Sequence, residues 1–228
     1  MNVLFDLDGT LTDPREGIVA CIRYALSALG DPAPLESDLD RFIGPPLRDA
    51  FGELLSADSA RVEVAIAAYR ERFTAIGMFE NSVYEGIPSV LEWLAAHDVR
   101  LFVATSKPRV FAERILDHFD LARYFSAVYG SELSGELSDK GELIGYALAT
   151  SGLRPADTIM VGDRCHDVRG ALRNHVSSAG VLWGYGSRDE LMAAGVERLF
   201  QKPRELAQLF VARGDQDESA DQRDSSDR

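Results

Sequence analysis

The stretch NVLFDLDGTLTD, residues 2–13, decides how the rest of the chain is read. It starts as an apolar run of the kind that enters a core. Yet Asp6 and Asp8 stand two positions apart at its end, Gly9 and Thr10 follow, and a third aspartate comes at Asp13. Carboxylates at the mouth of a buried strand are costly unless something compensates their charge.

Working outward, similar short apolar runs recur as RLFVAT (100–105), SAVYG (126–130), TIMVG (158–162) and AGVLW (179–183). Their near-continuous hydrophobicity fits parallel strands covered on both faces. Between them, PSVLEWLAAHD (88–98), RVFAERILDHF (109–119) and KGELIGYALATSG (140–152) carry helical periodicity, with Pro88 in a first turn and Gly152 at an end. Strands alternating with helices through short links predict an α/β fold, a Rossmann-like open parallel sheet with helices on both faces.

Residues 14–83 break that rhythm. EGIVACIRYALSALG, PPLRDAFGELL and RVEVAIAAYRERFTAI are helical in period and no strand candidate lies among them. The expected organisation is therefore an α/β core from residues 1–13 and 84–212, with an inserted all-helical cap from 14–83. Residues 213–228 form an acidic tail; its GDQDESADQRDSSDR segment has no aromatic or branched aliphatic side chain and is expected to be disordered.

Bulk composition excludes some partners. The 228 residues carry a net charge of −13 and are 46% hydrophobic, enough for a sizeable core but lacking the basic excess that a nucleic acid polymer or anionic membrane demands. Cys21 and Cys165 lie in unrelated contexts, without metal-ligand spacing. No apolar run approaches the roughly 18 residues of a membrane span, and no signal-type segment is visible. A soluble, cytoplasmic monomer or weak homodimer is expected, acting on a small metabolite.

Open parallel sheets bind ligands beyond the carboxyl ends of their strands. Asp6 and Asp8 follow the first strand, Thr105, Ser106 and Lys107 the second, Asp163 and Asp167 the TIMVG strand, and Lys140 opens the helix after SAVYG. Four carboxylates on one rim would raise one another's pKa. A divalent cation with a preference for oxygen, Mg²⁺ above all, resolves the conflict and lets a phosphate approach an acidic site. Gly9, without a side chain, and the amides around Thr10 can come close to phosphate oxygens.

Four segments in order, DLDGTLTD, VATSKP, the lysine of SDKGELI, and GDRCHDV, resemble the motifs of the haloacid dehalogenase-like hydrolase superfamily. The resemblance implies that Asp6 is a nucleophile forming an aspartyl-phosphate and a Mg²⁺ ligand. Asp8 would be the general acid and base, and a second ligand through its backbone carbonyl. Thr105 and Lys140 would hold the phosphoryl oxygens with Ser106 nearby, and Asp163 and Asp167 would complete the metal site. Lys107 is set aside, because the family's phosphate lysine comes later in the chain. A dehalogenase has no need to protonate a halide, whereas the alkoxide of a phosphate ester needs an acid such as Asp8.

Together with WGYGS (183–187), the RFIGPPL segment (41–47) is similar to the phosphoglycolate phosphatase-like branch, which includes bacterial 5′-nucleotidases. That likeness implies a specificity loop in the cap. Phe42 could stack on a nucleobase, or the loop could be only an inter-helix turn. Phosphoglycolate would instead require a cation for its carboxylate, with Arg48 or Arg15 as candidates. A nucleoside 5′-monophosphate is the preferred substrate, phosphoglycolate the alternative, and a phosphosugar mutase or non-catalytic binding module the more distant readings. Arg164 is expected to pair with a local carboxylate, and Cys165 and His166 to be bystanders.

Overall fold

The computed structural model describes residues 1–210; the acidic tail lies outside the described residues. In chain order the elements are β1 (Asn2–Phe5), β2 (Thr12–Asp13), α1 (Arg15–Ala28), α2 (Glu36–Leu39), α3 (Leu47–Leu54), α4 (Ser59–Arg72) and β3 (Ser82–Val83). Then come α5 (Ile87–Ala96), β4 (Arg100–Pro108), α6 (Arg109–His118), β5 (Phe125–Ser131) and α7 (Lys140–Ser151). The chain continues through β6 (Thr158–Gly162), α8 (Cys165–Arg173), β7 (Ser177–Val181), α9 (Arg188–Ala193) and β8 (Arg198–Phe200).

Six strands form one parallel sheet in the order β5-β4-β1-β6-β7-β8. The chain builds outward from β1 on one side and then crosses to build outward on the other. The β1–β6 junction is thus the switch point, where the crevice of a Rossmann-like sheet opens. Alternate residues feed two cores, as strand geometry requires. Leu4, Phe102 and Met160 pack with Leu143, Ile144 and Ala171 of α7 and α8. Val3, Phe5, Val103 and Val161 join Leu91, Ile115 and the inserted helices on the opposite face.

Local chemistry sets the helix ends. Asp139 accepts the Glu142 N–H at 2.9 Å to open α7, and Gly152 closes it at φ 61°, where a glycine pays no steric cost. Asp58 caps α4 by accepting from the Ala60 and Arg61 amides. At its far end α4 runs into a wide π turn, Phe73–Gly77.

Some details depart from the sequence expectation. The 14–83 stretch is not free of strand: Ser82–Val83 pairs antiparallel with Thr12–Asp13, forming a two-residue ribbon where the insert leaves and rejoins the core. Each arm is too short for alternation to register in the sequence. The AGVLW strand also starts earlier and stops at Val181, because the chain then turns toward the β1 loop.

Candidate active site

The β1 and β6 loops meet at the switch point. The Asp6 N–H donates to Val161 O at 2.9 Å, continuing the strand ladder and fixing the Asp6 side chain over the crevice. Gly9 has φ +82°, and a Cβ there would lie 2.3 Å from Asp163 Oδ2, so only glycine lets the two loops approach so closely. Thr10 Oγ1 donates to Asp163 Oδ1 at 3.5 Å. The WGYGS segment clamps the pair: Trp183 Nε1 donates to Thr10 O at 3.0 Å and the Tyr185 N–H to Asp163 Oδ2 at 2.8 Å. The Tyr185 hydroxyl donates to Asp13, which also accepts the Arg15 N–H at 3.1 Å.

Asp6, Asp163 and Asp167 are buried, and each offers an oxygen within 4.8 Å of the others. Lys140 Nζ stands 3.0 Å from Asp6 Oδ1 and 2.8 Å from Asp167 Oδ1, and donates to Ala104 O at 3.0 Å. One ammonium thus serves two carboxylates, so three buried acids share a single close lysine. Three buried carboxylates against one ammonium leave an excess of negative charge, so the trio suits a cation bound by oxygen alone. Three hard oxygen donors with no nitrogen or sulfur among them fit Mg²⁺.

The electrostatics are those of a charge-crowded pocket. Burial raises the Asp163 carboxyl well above its usual range, and the Asp167 and Asp6 charges add to the shift. Burial also raises Asp167, with Lys140 opposing. For Lys140, burial works against the ammonium, but Asp167 and Asp6 outweigh it and the pKa ends raised.

Asp8 stands apart from the trio. Its Oδ1 and Oδ2 lie 2.8 and 2.7 Å from Lys107 Nζ. Burial raises the Asp8 carboxyl, with Lys107 pulling it back. Thr105 is buried within β4, where its Oγ1 accepts the Lys107 N–H at 3.3 Å. Ser106 Oγ donates to Ser138 O at 3.2 Å on the adjoining loop. Lys107, passed over in the sequence, thus belongs to the site. Its position in VATSKP was visible; its contact with Asp8, 99 residues away, was not.

Between this rim and the insert lies a cavity of about 60 Å³, bounded by Asp8, Phe42, Pro46, Tyr69, Phe73 and Phe111. It adjoins an outer chamber of about 280 Å³ through Pro46, Leu47, Ser106 and Pro108. Phe42 reaches the inner cavity, with the Arg41 guanidinium 4.7 Å from its ring centroid. Arg48 does not: it borders the outer chamber and pairs with Glu63. Arg15 faces an open groove of about 1010 Å³ that none of the rim residues Asp6, Asp8, Thr105, Lys140 or Asp163 lines, and pairs with Asp40 at 2.7 Å.

Arg164 pairs with Glu190 at 2.9 Å, as expected of a local carboxylate, but it also donates from Nη1 to Ile43 O at 3.0 Å. It therefore ties the loop carrying Asp163 to the insert's RFIGPPL segment. Glu190 also accepts the Cys165 N–H at 2.9 Å. His166 has its pKa lowered, by burial first and then by Arg164 and Lys140.

Residues 3–181 match the model of the family described as haloacid dehalogenase-like hydrolase. The chain is 50% identical over 192 residues to a 5′-nucleotidase of Pseudomonas aeruginosa, covering 84% of this chain and 87% of that protein. It is 42% identical to the tyrosine-protein kinase PtkA of Mycobacterium tuberculosis over 82% of this chain, but spans only 64% of that protein. The crystal structure of a predicted phosphatase from Clostridium acetobutylicum superposes with a TM-score of 0.89 at 45% identity, covering 92% of this chain and 98% of the other. With the sheet order, the carboxylate trio and the motif order in agreement, the chain belongs to the haloacid dehalogenase-like hydrolase family.

Proposed function

We propose that this phosphatase hydrolyses nucleoside 5′-monophosphates through an aspartyl-phosphate on Asp6. The observation that carries the substrate reading is the inner cavity beside Asp8. Phe42, Tyr69, Phe73 and Phe111 wall it, and its cation among the described residues, Lys107, is already paired to Asp8. A planar neutral leaving group suits such walls, since ring stacking accepts any nucleobase. The carboxylate of phosphoglycolate would find no uncommitted cation there, because Arg48 and Arg15 are paired elsewhere. The 50% identity to a 5′-nucleotidase points the same way.

Asp6, Asp163 and Asp167, joined by the Asp8 backbone carbonyl, would hold Mg²⁺, which when bound supplies charge neutralisation for the incoming phosphate. The Asp6 carboxylate attacks phosphorus as the ester P–O bond breaks, and Asp8 gives its proton to the departing 5′ oxygen. Water then attacks the same phosphorus and passes a proton to Asp8. The bond to Asp6 breaks and inorganic phosphate leaves. Thr105, Ser106, Lys140 and the Gly9–Thr10 amides hold the phosphoryl oxygens, the positioning on which phosphoryl transfer depends. Burial raises the Asp8 pKa while Lys107 opposes it, and a raised pKa is the direction that favours a proton donor.

A cavity of about 60 Å³ is well below the roughly 300–1,000 Å³ of small-molecule sites, so the insert must lift for a nucleotide to enter. The test is phosphate release with Mg²⁺ across nucleoside 5′-monophosphates, phosphoglycolate, sugar phosphates and phosphotyrosine. The highest kcat/KM is expected for a nucleotide. A preference for phosphoglycolate would replace the substrate reading, and isomerisation of a sugar phosphate without phosphate release would indicate a mutase.

A further inference from the structure

Lys107 touches more than Asp8. Its ammonium lies 4.9 Å from the centroid of the Phe73 ring, within cation–π range. Phe73 begins the π turn of the insert, whereas Asp8 and Lys107 belong to the rim of the core sheet. The ring is itself fixed, stacked on Tyr69 at 5.4 Å and edge-on to Phe111 at 5.3 Å. Lys107 and Asp8 are both buried, with 6% and 8% of their side chains exposed, so water does not replace either support. Among the described residues Asp8 is the lysine's sole ion-pair partner.

A terminal carboxylate torsion is broad and roughly two-fold, so an aspartate left to itself does not hold one aim. A general acid must bring its proton within about 2.6–3.2 Å of the leaving oxygen. An ammonium that contacts both carboxylate oxygens removes that freedom. We propose that Lys107 is a positioning residue: it aims the Asp8 carboxyl at the leaving-group cavity, and its seat on Phe73 makes that aim depend on the insert being docked on the core. Lifting the insert for substrate entry removes the ring and admits water to the ammonium, and the pair slackens. Redocking restores it, so proton delivery is confined to the closed, dry site. The inference rests on the assignment of Asp8 as the acid-base group.

The test is the dependence of kcat/KM on leaving-group pKa, measured over aryl and alkyl monophosphates with Mg²⁺. This quantity reports steps only through the first bond cleavage, and a general acid matters most for poor leaving groups. For Lys107→Met, and for Lys107→Gln should the first variant fold poorly, the alkyl esters should lose roughly 10- to 100-fold and nitrophenyl phosphate only a few-fold, since a misplacement of about 1 Å can cost 100-fold. Phe73→Leu keeps Lys107 and the packing but removes the π face. It should steepen the same dependence by a smaller factor.

Equal losses across the series in the Lys107 variants would reduce the lysine to a structural counter-ion and overturn the proposal. An unchanged slope in Phe73→Leu would remove the link to the insert. Asp8→Asn separates the layers. If its slope is also unchanged, the acid-base reading of Asp8 fails; if it steepens while the Lys107 variants do not, only the positioning role fails.

Discussion

Lys140 stands between Asp6 and Asp167, 3.0 Å from one and 2.8 Å from the other, with its remaining contact to Ala104 O. One buried ammonium thus faces two of the three clustered carboxylates. Removing it in Lys140→Met leaves both uncompensated, which should lower stability by roughly 3–5 kcal/mol. Mg²⁺ should recover part of that loss, because a ligand that binds only the folded state stabilises it. Denaturant midpoints in chelator and in Mg²⁺ measure both effects. An unchanged midpoint in chelator would mean that Lys140 does not carry the cluster's charge balance.

The Asp163 carboxyl provides a pH signature. Its folded pKa is raised above the ordinary 3.8, by burial and by its neighbours' charges, so the folded state holds the proton more tightly than the unfolded chain. That contribution to stability is complete below about 3.8 and is lost as pH rises through the folded pKa. In chelator, wild type should therefore lose ground to Asp163→Asn from acid to neutral pH, and Mg²⁺ should remove the difference. Parallel stability curves for the two proteins in chelator would contradict the shift.

Phe42 tests the substrate. Phe42→Ala should cost nucleotides roughly 1–3 kcal/mol in kcat/KM, the range for losing a stacked base, while phosphoglycolate loses much less. Taking the ratio of the two substrates cancels general damage to the insert. Equal losses would leave Phe42 a packing residue.

Arg164 should behave differently, because it touches the Ile43 carbonyl rather than the cavity. Arg164→Ala releases the RFIGPPL segment from the Asp163 loop, so kcat/KM should fall by a similar factor for every substrate. Substrate-selective loss would instead place the guanidinium on the leaving group.

The core fold was legible where burial on both faces made the signal continuous. TIMVG coincides with β6, and the helices of residues 88–98, 109–119 and 140–152 fall within two residues of their expected ends. The edge strand Arg198–Phe200 was missed, because its three residues run from exposed to buried and show no sustained pattern. Asp6, Asp163 and Lys140, which the structure brings together, each sit just past a strand end or at a helix start, a position that local sequence marks. Lys107 against Asp8, Trp183 against Thr10, and Arg164 against Ile43 are tertiary contacts across 99, 173 and 121 residues. No local pattern encodes them. Arg48 shows the converse: its charge suggested an anion, and its pairing with Glu63 depends on how α3 lies along α4.

Rapid acid quench with phosphate-labelled substrate shows whether Asp6 carries the phosphoryl group. The Asp8→Asn variant, slowed in hydrolysing the intermediate, should retain label on the chain, labile to hydroxylamine as an acyl phosphate is, and peptide mapping should place it at Asp6. Asp6→Asn should retain none and turn over no substrate. Label on the Asp6→Asn chain, or steady turnover without Asp6, would contradict the account.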